Sequence, residues 1–302
     1  MRIRPVVLSL CLAIGLAVPV AATAEEPPYV ELASYLPPLA GSYEPTSEDD
    51  CKSGKPNCVD KVIREMYRRF NPQAGSCDHA AVFALTYLRT TEEYQRASLT
   101  PGFFEDPNFV NHEDAVFARY YFDAFDDWKA GRRSEVPQAW KIALDAGRDK
   151  RVSTVGDLLL GVNAHINRDL PYVLAGIGLV KPDGTSRKPD HDKVNQFLNR
   201  VSDDLYPELA RRFDPTVDDN NLPGTLDEMA SFQAFPAMRE AAWRNAEALV
   251  NATTPAARAL AEAQIENSAA NTANAIVAAT AYGPLSGGST ARDAYCAVHH
   301  DD

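Results

Sequence analysis

Apolar positions recur with helical spacing through most of the chain. Residues 59–70 predict a short amphipathic helix, and residues 78–98 a longer one with Val82, Leu85 and Leu88 on one side. Residues 109–131 carry an aromatic stripe: Phe117, Tyr120, Tyr121, Phe122, Phe125 and Trp128. A further short helix is predicted over 137–149, around Trp140. Ser153 then caps a central helix that runs into Pro171, where a kink is expected. Residues 181–188 form a Pro/Gly/Ser loop, and 193–213 a helix with an interruption expected at Pro207. After an acidic loop over 214–224, helices are predicted over 226–252 and 255–281, the second rich in Ala. Residues 283–290 read as a flexible linker to Cys296. No stretch alternates with period 2 between turn signals, and no repeat of fixed period appears. The expected fold is all-α: one domain of about eight helices around a central polar-cored helix. An extended arm over 25–56 precedes the domain at 57–282, and a tail over 283–302, tethered by Cys296, follows it.

One stretch breaks the apolar pattern. Within residues 158–170 (LLLGVNAHINRDL), a run of helix-forming apolar residues suddenly carries Asn163, His165, Asn167 and Asp169. At 3.6 residues per turn, Asn163 and Asn167 share one stripe and His165 and Asp169 the neighbouring one. Pro171 cannot donate to the carbonyl of Asn167. Polar groups in an apolar helix are costly unless paired, so the block is either a structural network or a site.

Composition bounds the setting. Residues 1–24 have the form of a secretory signal: Arg2 and Arg4, an apolar run over 6–20, then Ala22-Thr23-Ala24 before an acidic, Pro-rich flank. Secretion, or export to a periplasm, is therefore expected, with no membrane insertion after cleavage. About 280 residues would remain, enough for one large core. Cys11 leaves with the signal, and Cys51, Cys58, Cys77 and Cys296 remain. An even count in an exported chain points to two disulfides, although four cysteines allow three pairings. Cys51 and Cys58 flank a turn-rich loop suited to a local bridge, which would leave Cys77 to tie down Cys296. A thiolate zinc site needs paired short spacings, and only one such pair exists. The net charge of −12 argues against nucleic acid as a partner and identifies no other.

Six histidines carry the candidate chemistry: His79, His112, His165, His191, His299 and His300. His165 and Asp169, at i and i+4, have the spacing of a base with its orienting carboxylate, or of two ligands to one divalent cation. Asp78-His79, His112-Glu113-Asp114 and Asp190-His191-Asp192 lie near predicted helix starts. There His79, His112 and His191 are expected at exposed or capping positions, and Asp78, Asp114 and Asp190 as acids favoured by the helix dipole. The final His299-His300-Asp301-Asp302 reads as a solvated tail. Two readings follow. In the first, a hydrolase-like enzyme uses His165 as general base or metal ligand and Asp169 as orienter or second ligand. Asn163 and Asn167 would hold the substrate, with His79, Asp114 and Asn195 approaching from neighbouring helices. In the second, which the residues favour, the block is a hydrogen-bond network bordering a ligand pocket; the residues name no cofactor, a divalent metal being the less favoured option. There is no nucleophile elbow, Walker loop or dinucleotide fingerprint.

Two resemblances bear on these readings. The blocks Tyr87-Leu88-Arg89-Thr90-Thr91-Glu92, Phe117-Ala118-Arg119-Tyr120, Trp140, residues 159–170, Val194-Asn195 and Ala242-Trp243 resemble an uncharacterised bacterial family of helical proteins. That resemblance spans roughly 77–250 and implies a helical fold with the polar block at its centre, but no activity. It places the signal, the cysteines and the Ala-rich helix outside the shared core. His165-x-x-x-Asp169 also resembles a motif of the all-α zinc phospholipase C and P1-type nuclease superfamily. There a helical His and Asp help to bind a zinc cluster, which implies a metal-dependent phosphoesterase.

Overall fold

A computed structural model describes residues 43–217, 232–283 and 288–301, apart from the side chain at 199. The expected signal, the arm up to residue 42, most of the acidic loop, the start of the helix expected at 226, and residues 284–287 of the linker lie outside them. The described residues are helical, with no strand. The helices are α1 (Pro56–Gly75), α2 (Ala81–Ser98), α3 (Pro107–Lys129), α4 (Gln138–Arg148) and α5 (Thr154–Val162). A π-helical turn (Asn163–Asp169) leads directly into α6 (Leu170–Ile177). Then follow α7 (Lys188–Lys193), α8 (Asn195–Arg212), α9 (Phe235–Asn251), α10 (Pro255–Thr280) and α11 (Thr290–His299).

Local chemistry accounts for the starts. Ser153 Oγ accepts from Gly156 N at 3.3 Å, as expected of a cap, and Asp106 and Thr254 cap α3 and α10 in the same way. Pro107 and Pro255 open their helices where a missing N–H costs nothing. Burial accounts for the layering. Residues 81–88 of α2 and all nine residues of α5 are buried, so neither is a surface helix with one apolar stripe. They form the core pillars, and α1, α3, α4 and α8 to α10 pack around them and the π turn. The pillars approach closely at Gly161, where a Cβ would lie 2.2 Å from Cγ of Phe83.

Several expectations are corrected. Pro171 causes no break: it sits in the first turn of α6, and the backbone reaches it through a wider π turn. Pro207 lies inside α8 without interrupting it. The tail is not simply solvated, because residues 290–299 form α11. This helix is fastened by Arg292 Nη1 donating to the Cys77 carbonyl at 2.5 Å and by Lys150 Nζ on Asp293 at 2.7 Å. His299 and His300 donate back along α11 to the carbonyls of Tyr295 and Cys296. Both disulfides pair as the spacing suggested, Cys51 with Cys58 and Cys77 with Cys296. No described helix is long and apolar enough to cross a membrane.

Candidate acid–base site at the π turn

The polar block folds as a π turn in which Leu170 N–H reaches the His165 carbonyl five residues back. Such turns are rare and concentrate at functional sites. Asn163, His165, Asn167 and Asp169 divide between two jobs. Asn163 Nδ2 donates to the Ala269 carbonyl of α10 at 2.9 Å, and Asn167 Nδ2 donates to Asn163 Oδ1 at 2.9 Å. This stripe is a structural tie, reinforced by Arg168 on Glu266 at 2.8 Å.

The other stripe is built differently. Asp169 is fully buried, and its Oδ2 accepts from Trp140 Nε1 at 2.8 Å and from His165 Nδ1 at 3.1 Å. Its Oδ1 accepts from Arg168 at 3.0 Å. Because that carboxylate only accepts, Nδ1 of His165 carries the proton and Nε2 keeps its lone pair. The imidazole is stacked on Phe117, with centroids 3.6 Å apart and planes 5° apart, and meets Tyr87 at 4.4 Å. Burial lowers the His165 pKa, against the opposing pull of Asp169, so the ring is neutral at pH 7.

His165 lines a cavity of about 100 Å³. Each wall is a helical stripe: Phe83, Tyr87, Thr91 and Tyr94 from α2, and Val110, Glu113, Asp114 and Phe117 from α3. Val162, His165 and Ile166 come from the central helix, Phe197 and Leu198 from α8, and Phe235 and Arg239 from α9. The lining is mostly apolar, yet five polar atoms on it are buried with no partner in the protein. They are His165 Nε2, Tyr87 OH, Thr91 Oγ1, Asp114 Oδ2 and Arg239 Nε.

The carboxyls here are pushed away from their usual behaviour. Burial raises Asp114 to about 8, with the charge of Glu113 adding to it. Burial raises Glu113 to about 7 despite the nearby Arg239 and Arg187. Burial also raises the Tyr87 phenol, as do the charges of Asp114 and Asp169. A neutral histidine and a protonated carboxylic acid thus line one cavity.

The structure brings together His165, Asp169 and Asp114 of the candidates and separates the rest. Asn163 and Asn167 face α10, and Asn195 lies outside the lining with its Oδ1 buried and unpartnered. His79 is elsewhere: its Nδ1 is 2.6 Å from Asp157 Oδ2, beside a second cavity of about 20 Å³. Contrary to expectation, His79, His112 and His191 are all buried. His112 donates to the Cys51 carbonyl at 2.8 Å, and His191 packs against Arg239. Asp190 accepts from the Glu105 and Asp106 amides, and Asp78 from Ala80 N. Asp114 lies well inside α3 rather than at its start.

Tyr87, Thr91 and Arg239 were not singled out from sequence as site residues, although one signal for them existed. Tyr87 and Thr91 stand together at i, i+4 on the stripe that begins at Phe83, and Arg239 is a polar position between Phe235, Ala242 and Trp243. Among the described residues, no group of three or more His, Cys, Asp or Glu is arranged to hold a metal ion. The oxygens of Asp169 are already taken by Trp140, Arg168 and His165.

Residues 59–279 match the family model described as a family of unknown function (DUF5995). The chain belongs to this family. The DUF5995 region contains every residue of the cavity and both stripes of the π turn. It runs beyond the expected 77–250 and takes in nearly all of the Ala-rich α10, which is thus no addition to the shared core. Cys51, Cys58, Cys296 and α11 lie outside it. No curated protein and no solved structure matches this DUF5995 chain.

Proposed function

We propose that the protein is an exported small-molecule-binding protein whose cavity performs acid–base chemistry. His165 is the general base, Asp169 orients it, and Asp114 is the proton donor. The observation that carries this reading is the set of five unpartnered polar atoms on one cavity's lining. A network kept only for helix register pairs its members, as Asn163 and Asn167 do. Leaving a buried polar group unpaired costs about 1–3 kcal/mol, and a ligand that pairs with it removes that cost. Surroundings that push histidine down and carboxyl up reverse the usual order of the two groups, and a neutral base beside a protonated acid supplies the two halves of a proton transfer. The chemistry is written without a metal because His165 Nε2 alone of the pair remains for one. Export is supported by the two disulfides and by the signal-like residues 1–24.

The test is fragment binding, read by ligand-observed NMR, to the wild type and to a Tyr87→Phe/Thr91→Val double variant. The expected result is saturable binding to the wild type. The variant should keep or raise the thermal midpoint, because two buried unpaired hydroxyls are gone, and should lose the bound fragments. A clear loss of stability would place both hydroxyls in a structural network and overturn the reading. So would a wild type that binds no fragment.

A further inference from the structure

Arg239 raises a question that acid–base chemistry does not answer. Its side chain is 6 % exposed and lines the cavity. It is held from behind: Nη2 donates to the His191 carbonyl at 2.8 Å and to His191 Nδ1 at 3.2 Å, while His191 Nε2 donates to the Arg239 carbonyl at 3.2 Å. This two-way grip fixes the guanidinium and leaves its Nε without a partner. No carboxylate of the described residues pairs with it, although Glu113 stands on the same lining. A buried charge without a counter-ion is costly, and a fixed guanidinium is suited to planar oxyanions.

We propose that the ligand is a small apolar molecule carrying a single carboxylate, with its head on Arg239 and its tail among Phe83, Phe117, Phe197 and Phe235. This rests on reading the cavity as a ligand site. Charge balance gives the sign. Glu113 and Asp114 can take up protons when an anion enters, whereas Arg239 cannot shed its charge near neutral pH. An amine in the same place would stand beside a fixed guanidinium that Glu113 and Asp192 attract from a distance without pairing with it. Volume gives the size. A cavity of about 150 Å³ lined by apolar side chains accommodates benzene, so about 100 Å³ takes a tail smaller than that ring, a short alkyl chain. Polar contact away from the head comes from Tyr87, Thr91 and His165, which places the reacting proton near a carbon or oxygen of the tail.

The experiment is calorimetric titration of the disulfide-bonded full chain with propionate, propionamide and propylamine at neutral pH. These probes share a short alkyl chain and differ in charge. Propionate is expected to bind about ten- to a hundredfold more tightly than propionamide, the ratio of one charge-assisted contact, with propylamine weakest. Arg239→Gln is expected to erase that ratio; should the variant not fold, the wild-type ratio decides alone. Propionamide or propylamine binding as tightly as propionate would overturn the carboxylate assignment while leaving the cavity a ligand site. Binding of none of the three would overturn both.

Discussion

The protein contains two buried His–Asp pairs of the same composition and different character. His79, in the turn before α2, meets Asp157 of α5 at 2.6 Å, and its second nitrogen makes no hydrogen bond but faces Asp293 of α11 at 3.4 Å. The pair therefore sits where α5, α11 and the start of α2 meet, two residues along the chain from the Cys77–Cys296 disulfide. His165 and Asp169 lie within one turn of one helix, and the second nitrogen of His165 meets no protein group. Asp169 has three donors, so it does not depend on His165; Asp157 has His79 as its one side-chain partner among the described residues. The first pair is a fastening, and the second is a poised base. Neither second nitrogen makes a hydrogen bond; what distinguishes them is that His79 faces a carboxylate of α11 and has a carboxylate partner that relies on it, whereas His165 lines the larger cavity.

That contrast is tested most sharply by making the same substitution in both pairs. His79→Phe strands a buried carboxylate and is expected to cost about 3–5 kcal/mol in chemical denaturation. His165→Phe keeps the ring stacked on Phe117 and leaves Asp169 with two donors, so its cost is expected to stay within about 1 kcal/mol, with ligand binding lost. Equal losses would mean that both pairs are structural. A smaller effect is expected at Phe83, which lines both cavities. Gly161→Ala drives a methyl into its ring and is expected to cost about 1–3 kcal/mol by overpacking, while disturbing ligand binding. A silent Gly161→Ala would show that the wall yields freely.

The mildest test is the pH dependence of the second pair's surroundings. Asp114 has a folded pKa of about 8, above its ordinary value near 4, so its contribution is full below about pH 4 and is lost as pH rises toward 8. His165 is shifted the other way, so its neutral form costs stability as pH falls below about 6.5. Asp114→Asn removes only the first effect. Its thermal midpoint is expected to fall less than that of the wild type between pH 5 and pH 8, by about 2–4 °C for each kcal/mol recovered. Parallel curves would mean that Asp114 ionises freely in the folded protein.

Much of this was legible in the chain and some was not. The apolar stripes marked nearly every helix, because a 3.6-residue period records which face is covered. Residues 158–170 announced a special turn because four polar residues broke an otherwise apolar run. The prolines misled. A missing N–H predicts a kink only when the helix keeps its α register, and here the turn widened before Pro171. The buried histidines misled for a related reason: nearness to a helix start says nothing about what packs over it. His112 is covered by the disulfide loop through Cys51, and His191 by Arg239. Asp114 was named, but as a helix-start acid, and Arg239 was overlooked because a single Arg in a helix looks like surface.

By itself, the sequence determined the all-α class, the central polar helix, a set of four cysteines suited to two bridges and the i, i+4 spacing of His165 and Asp169. All of these follow from spacing along one chain. Only the tertiary structure decided that Asn163 and Asn167 fasten α10 while His165 borders a cavity. It alone also placed Glu113, Asp114, Tyr87, Thr91 and Arg239 on that lining. The physical reason is that periodicity fixes directions around each helix axis, whereas a cavity is the space left where five such faces meet, and no single stripe encodes it.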